Sequence, residues 1–421
     1  MRRPIRLIIA SVCGPVLSLS GSPPFASAQP RPASAPRAPV APSTRVENGV
    51  TVHAHDAGAF ARAPQWTLDA KPILTAGGAN GDPDFDLTYA SDAATLSDGR
   101  LVTFSAVGAK IFVFGADGRA RRAIGRLGKG PGEFMSPTGL LHMAGDTLFV
   151  IDPANNRLNW LTADAGVVRE APRNVALTPR YARPVGYVKD RGFVLMGGAV
   201  QEAVTGKVVR KPATVLLMTA AGEFRTISDV PNWELVEIET RYRGKRNVDS
   251  RILRFSRRAH VVVRDTQVIT ADGEGYAIRV NSTAGQEQSR IQVATTRRPV
   301  TRAMRDAEVA ADIARIRGPH MEAMIDPAES ERQAREAPSA DLLPPYESLH
   351  VTPDGTLWVV DAIAPTDTSW SATAFRRDGA IVGRLRAGGN AMPITFGNDR
   401  VVLRTVDADG VVAFVVRRIV R

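Results

Sequence analysis

Cysteine is nearly absent from this chain: Cys13 is the only one in 421 residues. Disulfides therefore contribute nothing to stability beyond that point, and thiol chemistry and Cys-zinc sites are excluded. Aromatic residues make up 6% against 44% hydrophobic residues overall, so Val, Ile and Leu must fill any large core. The six histidines (His53, His55, His142, His260, His320 and His350) include no H-E-x-x-H metalloprotease pattern. No G-x-S-x-G elbow marks a serine hydrolase. Phosphate-loop spacing is missing too. Gly128-Lys129 is followed by Gly130 where a P-loop needs Ser or Thr, and Pro131 and Pro137 forbid the helix that a dinucleotide fingerprint opens.

Long apolar runs are confined to the start of the chain. Arg2, Arg3 and Arg6 precede a mostly apolar stretch, Leu7–Leu19, and Ala26-Ser27-Ala28 forms an A-x-A site before Gln29. This reads as a signal peptide cleaved after Ala28, with a soluble mature protein exported to the periplasm or secreted. A lipoprotein anchor at Cys13 is disfavoured by Val12, which stands where a small residue is wanted. Gly14 and Pro15 interrupt the apolar stretch, and no other segment is long and apolar enough to form a transmembrane helix. Residues 29–45, rich in Pro, Ala, Ser and Arg, read as a disordered leader to one domain over 46–421. Removing residues 1–28 deletes three arginines and no acid, so the formal charge falls from +11 to +8. The excess is local. Residues 241–264 hold nine basic groups (Arg241, Arg243, Lys245, Arg246, Arg251, Arg254, Arg257, Arg258 and Arg264) against Asp249 alone.

Beyond the leader, β patterning dominates. Asp-Gly pairs at Asp98, Asp117, Asp272, Asp354, Asp378 and Asp409 each sit at a strand boundary, where they favour hairpin turns. Six comparable strands begin near Gly99, Asp146, Gly192, Thr266, Gly355 and Asp399, at spacings of 47, 46, 74, 89 and 44 residues. The short spacings match a four-stranded propeller blade of roughly 40–50 residues, and the two long ones imply insertions. The expected fold is all-β, a six-bladed β-propeller closed by strands from both termini. Gly49–His55 and Trp66–Leu74 are the N-terminal candidates for completing the sixth blade, since an open array would leave exposed edges. One helical island interrupts the pattern at about 301–336. Thr301 is the expected N-cap of a helix running through Arg317 to Gly318, and Asp326-Pro327 opens a second helix to Glu336. This insertion decorates one blade or covers the channel mouth.

Four glycines lie within Gly125–Gly132, followed by Glu133, Phe134 and the run Pro137-Thr138-Gly139-Leu140. They form a turn between the β runs Lys110–Phe114 and Thr147–Ile151. The order G-x-x-G…P-G-x-F-x-x-P-x-G-[IVL] resembles the NHL-repeat signature of β-propellers. Together with Pro353-Asp354-Gly355-Thr356-Leu357-Trp358-Val359, it also resembles a family of exported bacterial six-bladed propellers of unassigned function. That resemblance implies the fold and supplies no active-site residues.

The basic segment is the candidate site. It precedes the first strand of the fourth blade, where outer-to-inner connections line one mouth of the channel. Arg243, Arg254, Arg257, Arg258 and His260 there would attract carboxylate, sulfate or phosphate groups, with Glu234, Glu237 and Glu239 as competing intramolecular partners. Nucleic acid does not suit an exported chain without RNP-type aromatics. A partner protein or an acidic glycan fits better. The expected function is thus a monomeric, non-catalytic binding module without a cofactor. The alternative is a lactonase- or esterase-type propeller holding one divalent metal such as calcium. His53-x-His55 and the acids Asp82, Asp84 and Asp86 are minor metal candidates, although the latter lack the bidentate Glu of an EF-hand.

Overall fold

The computed structural model describes residues 37–173, 182–198, 207–219, 222–242, 245–317, 327–389, 391–407 and 409–421. The N-terminal part supplies β1 (Ser43–Glu47), β2 (Val50–His55), the one-turn helix α1 (Ala59–Arg62), β3 (Gln65–Leu68) and β4 (Leu74–Gly77). The first blade is β5 (Asp92–Thr95), β6 (Leu101–Ser105), β7 (Lys110–Phe114) and β8 (Ala120–Ile124). The second is β9 (Thr138–His142), β10 (Leu148–Asp152), β11 (Arg157–Thr162) and β12 (Gly166–Pro172). The third has five strands, β13 (Arg183–Val188), β14 (Gly192–Gly198), β15 (Val209–Met218), β16 (Phe224–Tyr242) and β17 (Lys245–Ile252). The fourth is β18 (His260–Arg264), β19 (Gln267–Ala271), β20 (Ala277–Ser282) and β21 (Glu287–Val293). Helices α2 (Arg302–Ile316) and α3 (Pro327–Glu336) follow. The fifth blade is β22 (Tyr346–Val351), β23 (Leu357–Asp361), β24 (Ser369–Phe375) and β25 (Ile381–Gly388), and the last strands are β26 (Met392–Phe396), β27 (Arg400–Val406) and β28 (Val412–Val420).

The ring closes on its inner strands. β5, β9, β13, β18, β22 and β26 each lie beside the next, and β26 returns to β5. Six apolar seams separate the blades, one between each neighbouring pair. Phe149 stacks on Phe193 at 3.9 Å between the second and third blades, and Trp358 stacks on Phe396 at 4.5 Å between the fifth and sixth. The second strand of a blade is covered on both faces by neighbouring blades, so β6 and β10 are buried at every position. That double covering demands the continuous apolar runs seen in the sequence.

Closure differs in detail from the sequence expectation. β4 supplies the outer strand of the sixth blade, pairing Leu74–Gly77 with Ala413–Val416 of β28. β3 lies between blades, parallel to β25 and antiparallel to the end of β28. β2 does not reach the sixth blade. It pairs in parallel with β21 and, with β1, widens the fourth blade to six strands. The glycine-rich turn is likewise not a reversal between Lys110–Phe114 and Thr147–Ile151, because β8 and β9 intervene and residues 125–137 cross from one blade to the next. Phe134 from this crossover is buried in the seam between the first and second blades. The buried Asp152 carboxylate accepts the Met135 and Ser136 N–H groups, and Glu133 accepts the Gly130 N–H. Glu170 likewise accepts the Gly132 N–H, so carboxylates hold several of the crossover's backbone N–H groups.

All six Asp-Gly glycines adopt positive φ between +75° and +86°. At Asp98, Asp117, Asp272, Asp354 and Asp378 the carboxylate also accepts the N–H two residues on. The two long spacings have separate causes. The third blade carries the β16–β17 hairpin, and the helices lie between the fourth and fifth blades.

Candidate functional site

Helix α2 starts as the sequence requires. Thr301 is extended and its hydroxyl accepts the Met304 N–H at 3.3 Å. Met304 is buried with Val300, Leu343 and Ala364, and Phe255 packs against this cluster, fixing the helix base to the propeller. Glu308, Asp312 and Arg315 follow Met304 on the same helix face. Helix α3 runs over Pro327–Glu336, while Gly318 and Asp326 lie outside the described residues. Between both helices and the propeller is a cavity of about 1010 Å³. Arg258, Tyr346 and Glu347 form its floor, and Trp233, Ile252, Phe255 and Met392 supply apolar wall. The helical insertion therefore roofs the cavity rather than merely decorating a blade.

The basic segment is divided by the fold. Arg241, Lys245 and Arg246 belong to the β16–β17 hairpin, and Arg243 lies outside the described residues. Residues 253–259 connect the outer strand of the third blade to the inner strand of the fourth. Arg254 lines the cavity and donates to Asp312 of α2. Arg257 lies outside the cavity lining, and the mostly buried Glu234 carboxylate accepts its Nε–H at 3.1 Å and its backbone N–H at 3.0 Å. Glu274 is its second partner. Arg258 donates to the Glu347 carboxylate at 2.6 Å and to its carbonyl at 2.7 Å. His260 opens β18, buried, with its ring 5.3 Å from that of Tyr346. Repulsion among these cations is thus relieved by acids drawn from the third-blade strands, the helices and the fifth blade.

Each crossover delivers the first residues of an inner strand to the same end of the channel. Asp92 opens β5, Arg183 opens β13, His260 opens β18, and Glu347 is second in β22. Asp92, Arg183 and Glu347 keep solvent contact through the lumen while the wall encloses them. Burial raises the proton affinity of Asp92, against the opposing charge of Arg183. Burial also raises that of Glu347, opposed by Arg258 and reinforced by Glu308. His260 is pushed well below the ordinary histidine range by burial, then by the charges of Arg258 and Arg183, so it is neutral at pH 7. Arg183 itself makes no hydrogen bond or ion pair among the described residues; burial works against its charge, and Asp92 favours it.

Lower on the same wall, Ser348 Oγ and His350 Nε2 are 2.8 Å apart. Burial holds the His350 pKa down to about 4, which makes it a weak base toward a serine hydroxyl. Among the described residues no three His, Cys, Asp or Glu side chains converge as metal ligands. His53 and His55 sit against the Asp378-Gly379 turn, and His55 Nε2 bonds the Gly379 carbonyl at 2.8 Å. The Asp82 and Asp86 carboxylates accept nearby backbone N–H groups within their own turn. No helix among the described residues is long and apolar enough to cross a membrane.

Sequence reasoning missed Asp92, Arg183, Glu308 and Glu347. The helical spacing of Met304, Glu308 and Asp312 was the available signal for Glu308. For the others it was their place at the head of each inner strand.

A model of the DUF5128 family, described as a 6-bladed beta-propeller, matches residues 87–161. No curated protein matches the chain significantly. Among solved structures, a DUF4221-family member from Bacteroides vulgatus is 11% identical, with 84% of this chain and 98% of that one covered at a TM-score of 0.49. A Bacteroides fragilis protein regarded as exported is 10% identical, with 87% and 99% covered at 0.45. A gluconolactonase from Xanthomonas campestris is 10% identical, with 79% and 87% covered at 0.42. At identities of 10–11% and TM-scores below 0.5 these likenesses carry no argument about this chain. Sheet order, inter-blade seams and the matching family model agree that the chain is a six-bladed β-propeller.

Proposed function

We propose that this propeller is an exported, non-catalytic binding module, released from its signal peptide after Ala28, that holds an anionic group of a ligand or partner at the roofed mouth of its channel. Arg183 carries the proposal. Its guanidinium faces the lumen in solvent contact, without an ion-pair partner among the described residues, beside Arg258 and the neutral His260 and within the field of Asp92. An unpaired arginine at a concave mouth favours a carboxylate or sulfate that can accept two N–H bonds. Arg258 contributes a second guanidinium, shared with Glu347, and Arg254 stiffens the roof through Asp312. The body of the ligand occupies the cavity beneath α2 and α3, whose size is that of ordinary small-ligand sites. No cofactor is required.

The test is thermal unfolding of residues 29–421 with citrate, sulfate and oligogalacturonate at low salt. A ligand at one hundred times its dissociation constant stabilises by about 2.7 kcal/mol. Stabilisation that disappears in Arg183→Gln and weakens with added salt supports the reading. Equal stabilisation of the native and Arg183→Gln proteins, or none by any anion, counts against it.

A further inference from the structure

We infer that the anion held at this mouth is the carboxylate of a sugar acid, whose ring hydroxyls bond His260 and Ser348 in the channel. The inference rests on the binding role proposed above and narrows its ligand from any anion to a hydroxylated carboxylate. Its class is a uronic acid.

His260 leads to this. It opens β18 and is only 8% exposed, yet its ring nitrogens have no hydrogen-bond partner among the described residues. Neither nitrogen is an enclosed, unsatisfied atom, so the edge of the ring meets open space. That space is the channel, because His260 takes no part in lining the roofed cavity. The charges of Arg183 and Arg258 both reach the ring, and His350 acts on it from the next inner strand. Leaving a mostly buried polar group without a partner is costly, and a ligand atom that bonds it removes that cost.

The kind of partner follows from charge. His260 is neutral at pH 7, so it offers one N–H and one lone pair. A hydroxyl can answer either, whereas a carboxylate meets only the N–H and an ammonium only the lone pair. Arg183 and Arg258 repel an ammonium, and the carboxylate belongs to the unpaired Arg183. Lower on the wall is a second neutral pair, in which Ser348 Oγ spends one bond on His350 Nε2 at 2.8 Å. The half-buried Ser348 hydroxyl has capacity for another. Three successive inner strands, β13, β18 and β22, thus bring a guanidinium, a neutral imidazole and a hydroxyl to one channel. A plain aliphatic acid would leave the imidazole without a partner, and a neutral sugar would leave the guanidinium without one.

Calorimetric titration of residues 29–421 with glucuronate, cyclohexanecarboxylate and methyl glucoside tests this. The second ligand keeps the charge without hydroxyls, and the third keeps hydroxyls without the charge. Glucuronate is expected to bind about tenfold more tightly than either, the scale of two neutral hydrogen bonds or one charge-assisted bond. His260→Phe, which preserves a ring beside Tyr346, should weaken glucuronate about fivefold and leave cyclohexanecarboxylate unchanged. Ser348→Ala should act in the same direction, and it decides the matter if His260→Phe does not fold. A general loss of structure would weaken both acids together. Equal binding of glucuronate and cyclohexanecarboxylate, or no effect of either substitution, overturns hydroxyl recognition while the anion site stands. Equal binding of glucuronate and methyl glucoside overturns the anion site instead. If glucuronate does not bind, the sugar-acid inference falls, and the citrate and sulfate titration decides the binding role separately.

Discussion

Removing the ring of Phe134 should destabilise the whole propeller, although the residue lies in a surface crossover. The side chain is 1% exposed and packs in the seam of the first and second blades with Ile111, Leu148 and Val150. A phenylalanine buries roughly 150–250 Å², and at about 25 cal/mol per Å² this is worth about 4–6 kcal/mol. Compactness of the unfolded chain trims the figure by roughly 10–40%, leaving about 3–5 kcal/mol for Phe134→Ala. Gly125 tests the same contact from the other side. Its φ is +84°, and an added Cβ would lie 2.5 Å from the Phe134 ring and 2.8 Å from the Ala109 carbonyl. Gly125→Ala is therefore destabilising by itself, but part of its cost vanishes once the ring is gone. The double variant should fall short of the sum by about 1 kcal/mol or more. Lys129, exposed in the same turn, should change stability by less than about 0.5 kcal/mol when replaced by Ala. Urea unfolding of the single and double variants measures all of these. A Phe134→Ala loss below about 1 kcal/mol, or strict additivity with Gly125→Ala, would refute the view that this crossover is an anchor between blades.

Glu234→Gln should cost about 3–5 kcal/mol in urea unfolding, because it leaves the partly buried Arg257 without its main partner. His350 gives a pH signature. Its folded pKa of about 4 lies below the ordinary 6.5, so its contribution is complete above pH 6.5 and is lost as pH falls toward 4, by about 3 kcal/mol in all. His350→Gln should flatten the stability curve across that window, and an unchanged curve would contradict the burial argument. Deleting residues up to Gly77 removes β4 and bares the edge of β28, so light scattering should show association that the longer chain does not.

The sequence exposed the parts of the fold where physical demand is greatest. Strands such as Leu148–Asp152 are covered on both sides, so their apolar runs were legible without knowledge of their neighbours. Inner strands such as Asp92–Thr95 are short and mix charged with small residues, and nothing local distinguishes them from loops. The place of β2 was equally hidden, because its partner Glu287–Val293 lies more than two hundred residues away. The same divide runs through the site. Arg254 and Arg258 stood out through charge density, but their partners Asp312 and Glu347 are 58 and 89 residues distant. Only the folding of the insertion onto the blades decides which cation each acid meets.

The pairing of β4 with β28 also orders events in time. Leu74–Gly77 is made long before its partner Ala413–Val416. At about 5–20 residues per second, the roughly 340 residues between them take about 20–70 s to appear. Throughout that interval the first strand of the seam has no mate, and the growing row of blades ends in an open edge. A chain with this architecture depends on whatever shields the edge until β28 arrives. Slowing translation between Gly77 and Ala413 should lengthen that dependence, whereas slowing it before Leu74 should not.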